Sequence, residues 1–196
     1  MHALIVTAHP EPQSLTHSIA AQIGEGLAGA GHTFEIADLA TEGFDPRFTP
    51  GDLAVHRDKA ARPADVAAEQ ARIDRADALV LVYPVYWWSM PGLMKGWIDR
   101  VFSNQWAFDF TLQDGGMVKK LQHLKVHLVQ LAGADAGLYE RHGYANAMKV
   151  QIDHGIFDFC GATVVSSELL FESEGQAPAV FLERAGKLGM ALFGTK

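Results

Sequence analysis

Cysteine is almost absent: Cys160 is the one thiol in 196 residues, so no internal disulfide can form, and a reducing cytosol suits the chain. Basic blocks are missing too. Lys and Arg number 16 against 23 Asp and Glu, a formal charge of -7, and no run of positive charge offers a surface to nucleic acid. Nowhere do 18 apolar residues follow one another, which excludes a helical membrane span. The opening MHALIVTAHPEPQS has neither a basic n-region nor a small-residue cleavage site, so it reads as a first strand and not as a signal peptide. No G-x-S-x-G elbow, Walker loop, internal repeat or low-complexity linker occurs. What remains is an ordinary globular composition, 48% hydrophobic and 20% charged. A single cytoplasmic domain over residues 1–196 is expected, long enough to bury about 70% of the surface its unfolded form exposes.

Apolar runs and helical periods alternate along the chain. Ala3 to Ala8, Thr33 to Leu39, Ala78 to Tyr83, Lys125 to Gly133 and Ala162 to Phe171 read as strands, several of them apolar throughout, as in a parallel sheet covered on both faces. Helices are predicted from Ser14, where Leu15, Ile19, Ile23 and Leu27 recur at four-residue steps, and over Asp65 to Asp74, Pro91 to Phe102, Tyr144 to Cys160 and Ala177 to Phe193. Thr41 to Pro63 reads as a long loop with at most one short turn of helix, and Trp106 to His123 as irregular. The fold class is therefore α/β: a three-layer, doubly wound parallel sheet. In the flavodoxin-like strand order 2-1-3-4-5 the ligand lies beyond the carboxyl ends of the strands, between strands one and three.

Three loops reach that rim. HPEPQSLTHS carries hydroxyls at Ser14, Thr16 and Ser18 and runs into a helix N-terminus, where free amides suit a phosphate; Ser14 could equally be a simple cap. PVYWWSMP crowds aromatics where a polar turn is expected, and Trp87 and Trp88 could pack in the core, in an interface or on a flat ligand. In the third loop, Ala132 and Gly133 are small enough for a ring edge to approach, and Tyr139 and His142 follow. Hydroxyls on one loop and an aromatic shelf on the next suit a planar ring with a phosphate tail, and flavin is such a ligand.

Other candidates are poorer. GEGLAG (Gly24 to Gly29) matches a dinucleotide fingerprint in letters, but it closes a helix instead of opening one. His123 and His127 are four apart without a third ligand at a sensible spacing, so no metal site is expected. Cys160 has no electropositive neighbour in sequence and reads as a buried structural thiol.

The segments ALIVTAHPEPQSLTHSIA and EQARIDRADALVLVYPVYWWSMPGLMKGWIDRVFSNQWAFDF closely resemble the flavodoxin-like NAD(P)H:quinone oxidoreductases, or DT-diaphorases, and their bacterial relatives. The resemblance runs from residue 3 to about residue 165. It implies that His9, Ser14, Leu15, Thr16 and Ser18 hold the phosphates and ribityl chain of a flavin, and that Pro84, Val85, Tyr86, Trp87 and Trp88 line its ring. It places Ala132 and Gly133 at a pair that is usually Gly-Gly, and Tyr139 at the tyrosine that assists charge rearrangement. His142 is the histidine nearest that tyrosine, since Ala145 occupies the sixth position after it. Phe108 and Phe110 match aromatic positions that reach into the partner's substrate pocket in a homodimer.

The activity so implied is two-electron, ping-pong transfer from NAD(P)H to a quinone or similar flat acceptor. The loop from Phe44 to Pro63 favours FAD over FMN as cofactor. Two readings of other classes stand beside it: a flavodoxin-type electron carrier, and a flavoprotein regulatory subunit of a potassium efflux system.

Overall fold

The backbone of β1 (His2–Thr7) is sealed in because Ala3, Leu4, Ile5 and Val6 present apolar side chains to both of its faces. In the computed structural model, which describes residues 1–57, 60–111 and 116–194, β1 pairs in parallel with β2 (Thr33–Asp38) and β3 (Ala78–Pro84). A two-stranded antiparallel hairpin, β4 (Phe108–Thr111) and β5 (Gly116–Lys119), stands apart from the sheet. β6 (Lys125–Leu131) and β7 (Thr163–Leu170) complete it, in the order β2-β1-β3-β6-β7. With the hairpin set aside, this is the flavodoxin-like 2-1-3-4-5 sheet.

Helices α1 (Leu15–Gly29) and α7 (Pro178–Ala191) cover one face, where Ile19, Ile23 and Phe181 pack on Ala3, Ile5, Val80 and Val82. The other face carries α2 (Pro50–His56), α3 (Ala64–Asp74) and α4 (Gly92–Val101), with Met94, Trp97 and Val101 against Leu4, Val6, Leu79 and Leu81. After β6 come α5 (Ala136–His142), α6 (Tyr144–Met148) and a π-helical stretch, Lys149–Asp158, whose Ile152 and Phe157 join that second core.

Four sequence expectations are corrected. The segment read as irregular holds the β4/β5 hairpin, hidden because each strand has only 4 residues. Within the long loop, α2 is a full 7 residues. Thr49 Oγ1 accepts from Asp52 N at 3.2 Å and Asp52 Oδ2 accepts from Thr49 N at 2.7 Å, a reciprocal cap. Asp52 is then locked by Arg100, Nε to Oδ2 3.1 Å, in a buried ion pair. An ion pair leaves no apolar period to read. Ala136–His142, taken as loop, is helical because Asp135 caps it through Leu138 N at 2.9 Å. The helix expected from Tyr144 exists, but most of it is π-helical; buried Ile152 and Phe157 lie five apart, which suits the wider turn.

Two of the three glycines of GEGLAG serve packing, Gly26 against α7 and Gly24 against β2, while Gly29 faces open space. A Cβ on Gly26 would strike the carbonyl oxygen of Gly186, and one on Gly24 would strike the Phe34 ring.

Candidate functional site

The carboxyl ends of β1, β3, β6 and β7 open onto a cavity of about 240 Å³. Its phosphate-suited end is formed by His9, Leu15 and Thr16, its shelf by Pro84, Val85 and Tyr86, and its far wall by Gly133, Ser173 and Glu174. Loops one and two therefore converge, as the topology requires. A shallower groove of about 350 Å³ runs along Lys149, Asp153 and Thr163, but Thr163 starts β7, so that groove lies off the loop-bearing rim. Size does not select it; position selects the smaller one.

The hydroxyls of loop one divide their work. Ser14 Oγ accepts from His17 N at 3.3 Å and lies 2.8 Å from His17 Nδ1, while Ser18 Oγ donates to Ser14 O at 3.1 Å. Ser14 Oγ caps the helix, Ser18 Oγ bonds back to the carbonyl one turn earlier, and neither lines the cavity. Thr16 does, beside the first turn of a 15-residue helix whose leading amides have no intrahelical acceptor. Neither lysine nor arginine is among the lining residues, so an anion at the α1 end would meet amides, the Thr16 hydroxyl and His9, with Ser173 and Glu174 on the far wall.

The aromatic loop is a tight two-residue turn. Tyr86 N donates to Ser89 O at 3.1 Å and Ser89 N to Tyr86 O at 3.0 Å, enclosing Trp87 at φ 50° and Trp88 at φ 55°. Two successive positive φ values are the mark of a type I′ turn, ordinarily filled by Asn-Gly. Bulky residues there store about 1–3 kcal/mol each, a strain that collects at functional sites. Trp87 is 87% exposed with its face open, whereas Trp88 stacks on Tyr144 at 3.9 Å and 28°. The two indoles meet edge to face at 5.9 Å. Neither lines the cavity itself; they stand at the tip of the turn whose base, Pro84 to Tyr86, does.

In loop three, Gly133 lies in the cavity wall, and a Cβ there would approach the Glu174 carboxyl to 3.7 Å. Ala132 is fully buried, its amide held by Leu170 O at 2.9 Å. Tyr139 is 3% exposed, packed edge-on to Phe171 at 5.1 Å and Tyr144 at 6.0 Å, and burial raises its hydroxyl pKa. His142 is exposed and stacks on Tyr144 at 5.1 Å. Neither Tyr139 nor His142 reaches the cavity wall in this chain.

Phe108 and Phe110 are on the hairpin, away from that rim. They meet each other at 5.3 Å, Phe108 meets Phe159 at 5.5 Å, and Phe110 is 49% exposed. A second cavity of about 170 Å³ lies between Phe108, Phe159, Ile98 and Cys160.

Sequence reasoning missed Ser173 and Glu174. Their loop leaves the same rim, and the turn is set by Glu172 at φ 54°, with Glu172 N bonded to Ala134 O at 3.2 Å and Ser173 N to Ala132 O at 3.0 Å. The topology alone could have flagged it, since β7 ends where β1, β3 and β6 do. Tyr144, too, had no signal in sequence, because its role depends on where Gly143, at φ 69°, turns the chain between α5 and α6.

The family model described as flavodoxin-like fold matches residues 1–188. Ribosyldihydronicotinamide dehydrogenase [quinone] of Mus musculus is 31% identical over 189 residues, covering 86% of this chain and 80% of the relative. The chain belongs to the flavodoxin-like NAD(P)H:quinone oxidoreductase family. Among solved structures, an NAD(P)H:quinone oxidoreductase from Methanothermobacter marburgensis superposes with a TM-score of 0.90 at 28% identity, covering 98% of both chains. An FMN-dependent NADH-azoreductase from Bacillus anthracis, in complex with FMN, shares the fold at a TM-score of 0.68 and 18% identity, over 98% of this chain and 97% of its own. Members of that family pair a flavin with NAD(P)H.

Proposed function

We propose that this chain is a homodimeric, flavin-dependent NAD(P)H:quinone oxidoreductase that works by a ping-pong cycle. The observation that carries the reading is the single cavity joining Leu15 and Thr16, in the first turn of α1, to the Pro84–Tyr86 shelf at the base of the turn that carries Trp87. These residues fit a flavin in kind: amides, Thr16 and His9 for a phosphate, a flat apolar shelf for a ring, and no Cβ at Gly133 to bar a ring edge. At about 240 Å³ the cavity is below the usual range for a whole ligand of that size, ~300–1,000 Å³. The remainder of the ligand would lie along the open rim below Trp87.

When bound, the flavin would accept a hydride from NAD(P)H and pass two electrons to a quinone. Thr16 and the α1 amides would anchor the phosphate end. Pro84, Val85 and Tyr86 would fix the ring plane, and Trp87 would offer its free face to the flat substrate that docks there. Glu174, across from Gly133, would put a carboxylate beside the bound group. Tyr139 and His142 both contact the Tyr144 ring and lie outside the cavity lining; they would balance charge from there.

The hairpin supports the dimer. Phe110 and Phe159, both in contact with Phe108, leave aromatic surface exposed beside the second cavity, as an aromatic wall for a partner's substrate would. The segment from Phe44 to Pro63, carrying α2, would lie near an adenine, which favours FAD over FMN.

Purified protein should be yellow, should bleach on NADH or NADPH, and should release FAD or FMN on heating. A colourless protein that takes up neither flavin would overturn the reading.

A further inference from the structure

The Trp87–Trp88 turn is strained at both central positions and closed by only two backbone hydrogen bonds. A hairpin this short does not hold itself, and strained backbone persists only where its surroundings over-determine it. The ring of Tyr144 supplies that determination. It stacks on Trp88 at 3.9 Å and 28°, on His142 at 5.1 Å and 19°, and its edge meets the core residue Tyr139 at 6.0 Å. One ring thus links the buried core to the exposed turn. Ser89 Oγ adds a second tie, donating to Gln151 Oε1 at 3.1 Å on the π-helical stretch.

We propose that Tyr144 is a positioning residue for the substrate face of the site: by stacking on Trp88 it fixes the turn so that Trp87 stands with its face free. Tyr144 acts through Trp88 and does not touch the ligand. Its neighbour Gly143, at φ 69°, ends α5 and delivers the ring at the start of α6. Among the described residues none hydrogen-bonds the Tyr144 hydroxyl, so the flat face is the working part and phenylalanine should replace it. The role assigned to the Trp87 face rests on the quinone oxidoreductase reading; the clamp itself does not.

The test compares wild type with Tyr144→Phe, Tyr144→Leu and Tyr144→Ala, reading near-ultraviolet circular dichroism of the indoles, flavin content, and KM and kcat with a soluble naphthoquinone. Leucine keeps bulk without a flat face, so it serves if alanine does not fold. Leu and Ala should both alter the indole signal and raise the quinone KM about fivefold or more, with flavin content unchanged, and Phe should match wild type in every readout. A Leu variant with the wild-type indole spectrum overturns the proposal, as does a Phe variant as impaired as Leu. If wild type binds no flavin, the enzymatic reading fails while the dichroism arm still decides the clamp.

Discussion

Gly189 of α7 lies directly on the backbone of Ile23 in α1, so close that a Cβ there would strike the Ile23 carbonyl oxygen. Gly26 makes the reciprocal approach to Gly186, and the two helices therefore pack backbone to backbone. Gly189→Ala should overpack this contact and cost about 1–3 kcal/mol. Each kcal/mol lowers the melting temperature by roughly 2–4 °C in a domain of this size. Gly29→Ala, with open space around it, should leave the melting temperature unchanged or slightly higher, and thermal unfolding of the pair would separate the two.

Trp87 sits at φ 50° while 87% exposed, so it loses little packing if replaced. Trp87→Asn should relieve strain and stabilise the fold by about 1 kcal/mol. The same change removes the open indole face and should lower turnover with quinone. A variant that melts at the same temperature and keeps full turnover would contradict both halves.

His127 is buried in β6, its Nδ1 2.8 Å from Ser166 Oγ, and burial pushes its pKa down to about 4. The unfolded chain, with the ordinary value of about 6.5, takes up the proton first. Stability should therefore be full above pH ~6.5 and fall as pH drops from there through about 4, by at most about 3 kcal/mol. Urea titrations across that window should show the loss, and His127→Gln should flatten it.

Cys160 is buried and its thiol is pushed up to about 11 by desolvation. Thiolate is then scarce at neutral pH. Native protein should resist a thiol reagent such as iodoacetamide and react only on unfolding, and Cys160→Ser should retain whatever flavin binding the wild type has.

How much of this was legible in sequence depended on which forces hold each element. The apolar runs of β1, β3 and β6 name a parallel sheet because both faces are covered, and Leu15, Ile19, Ile23 and Leu27 mark α1 because one stripe is. α2 escaped because its anchor is Asp52 with Arg100, not an apolar face. The β4/β5 hairpin escaped because four-residue strands carry too little alternation. At the site, topology correctly brought His9, Thr16, Pro84 and Gly133 to one rim. It could not say that Ser14 would cap the helix and Ser18 would bond back to the preceding turn, since such serines and a phosphate serine look alike in letters. Nor could it separate Trp87 from Trp88; that distinction rests on Tyr144, more than fifty residues downstream.

The first cavity has no lysine or arginine in its wall. Whatever anion it accepts would be gripped by hydrogen bonds at contact range, far inside the ~8 Å over which physiological electrolyte screens charge. Concentrated salt would therefore be a poor eluent for that guest, while anything that unwinds the first turn of α1 would strip it.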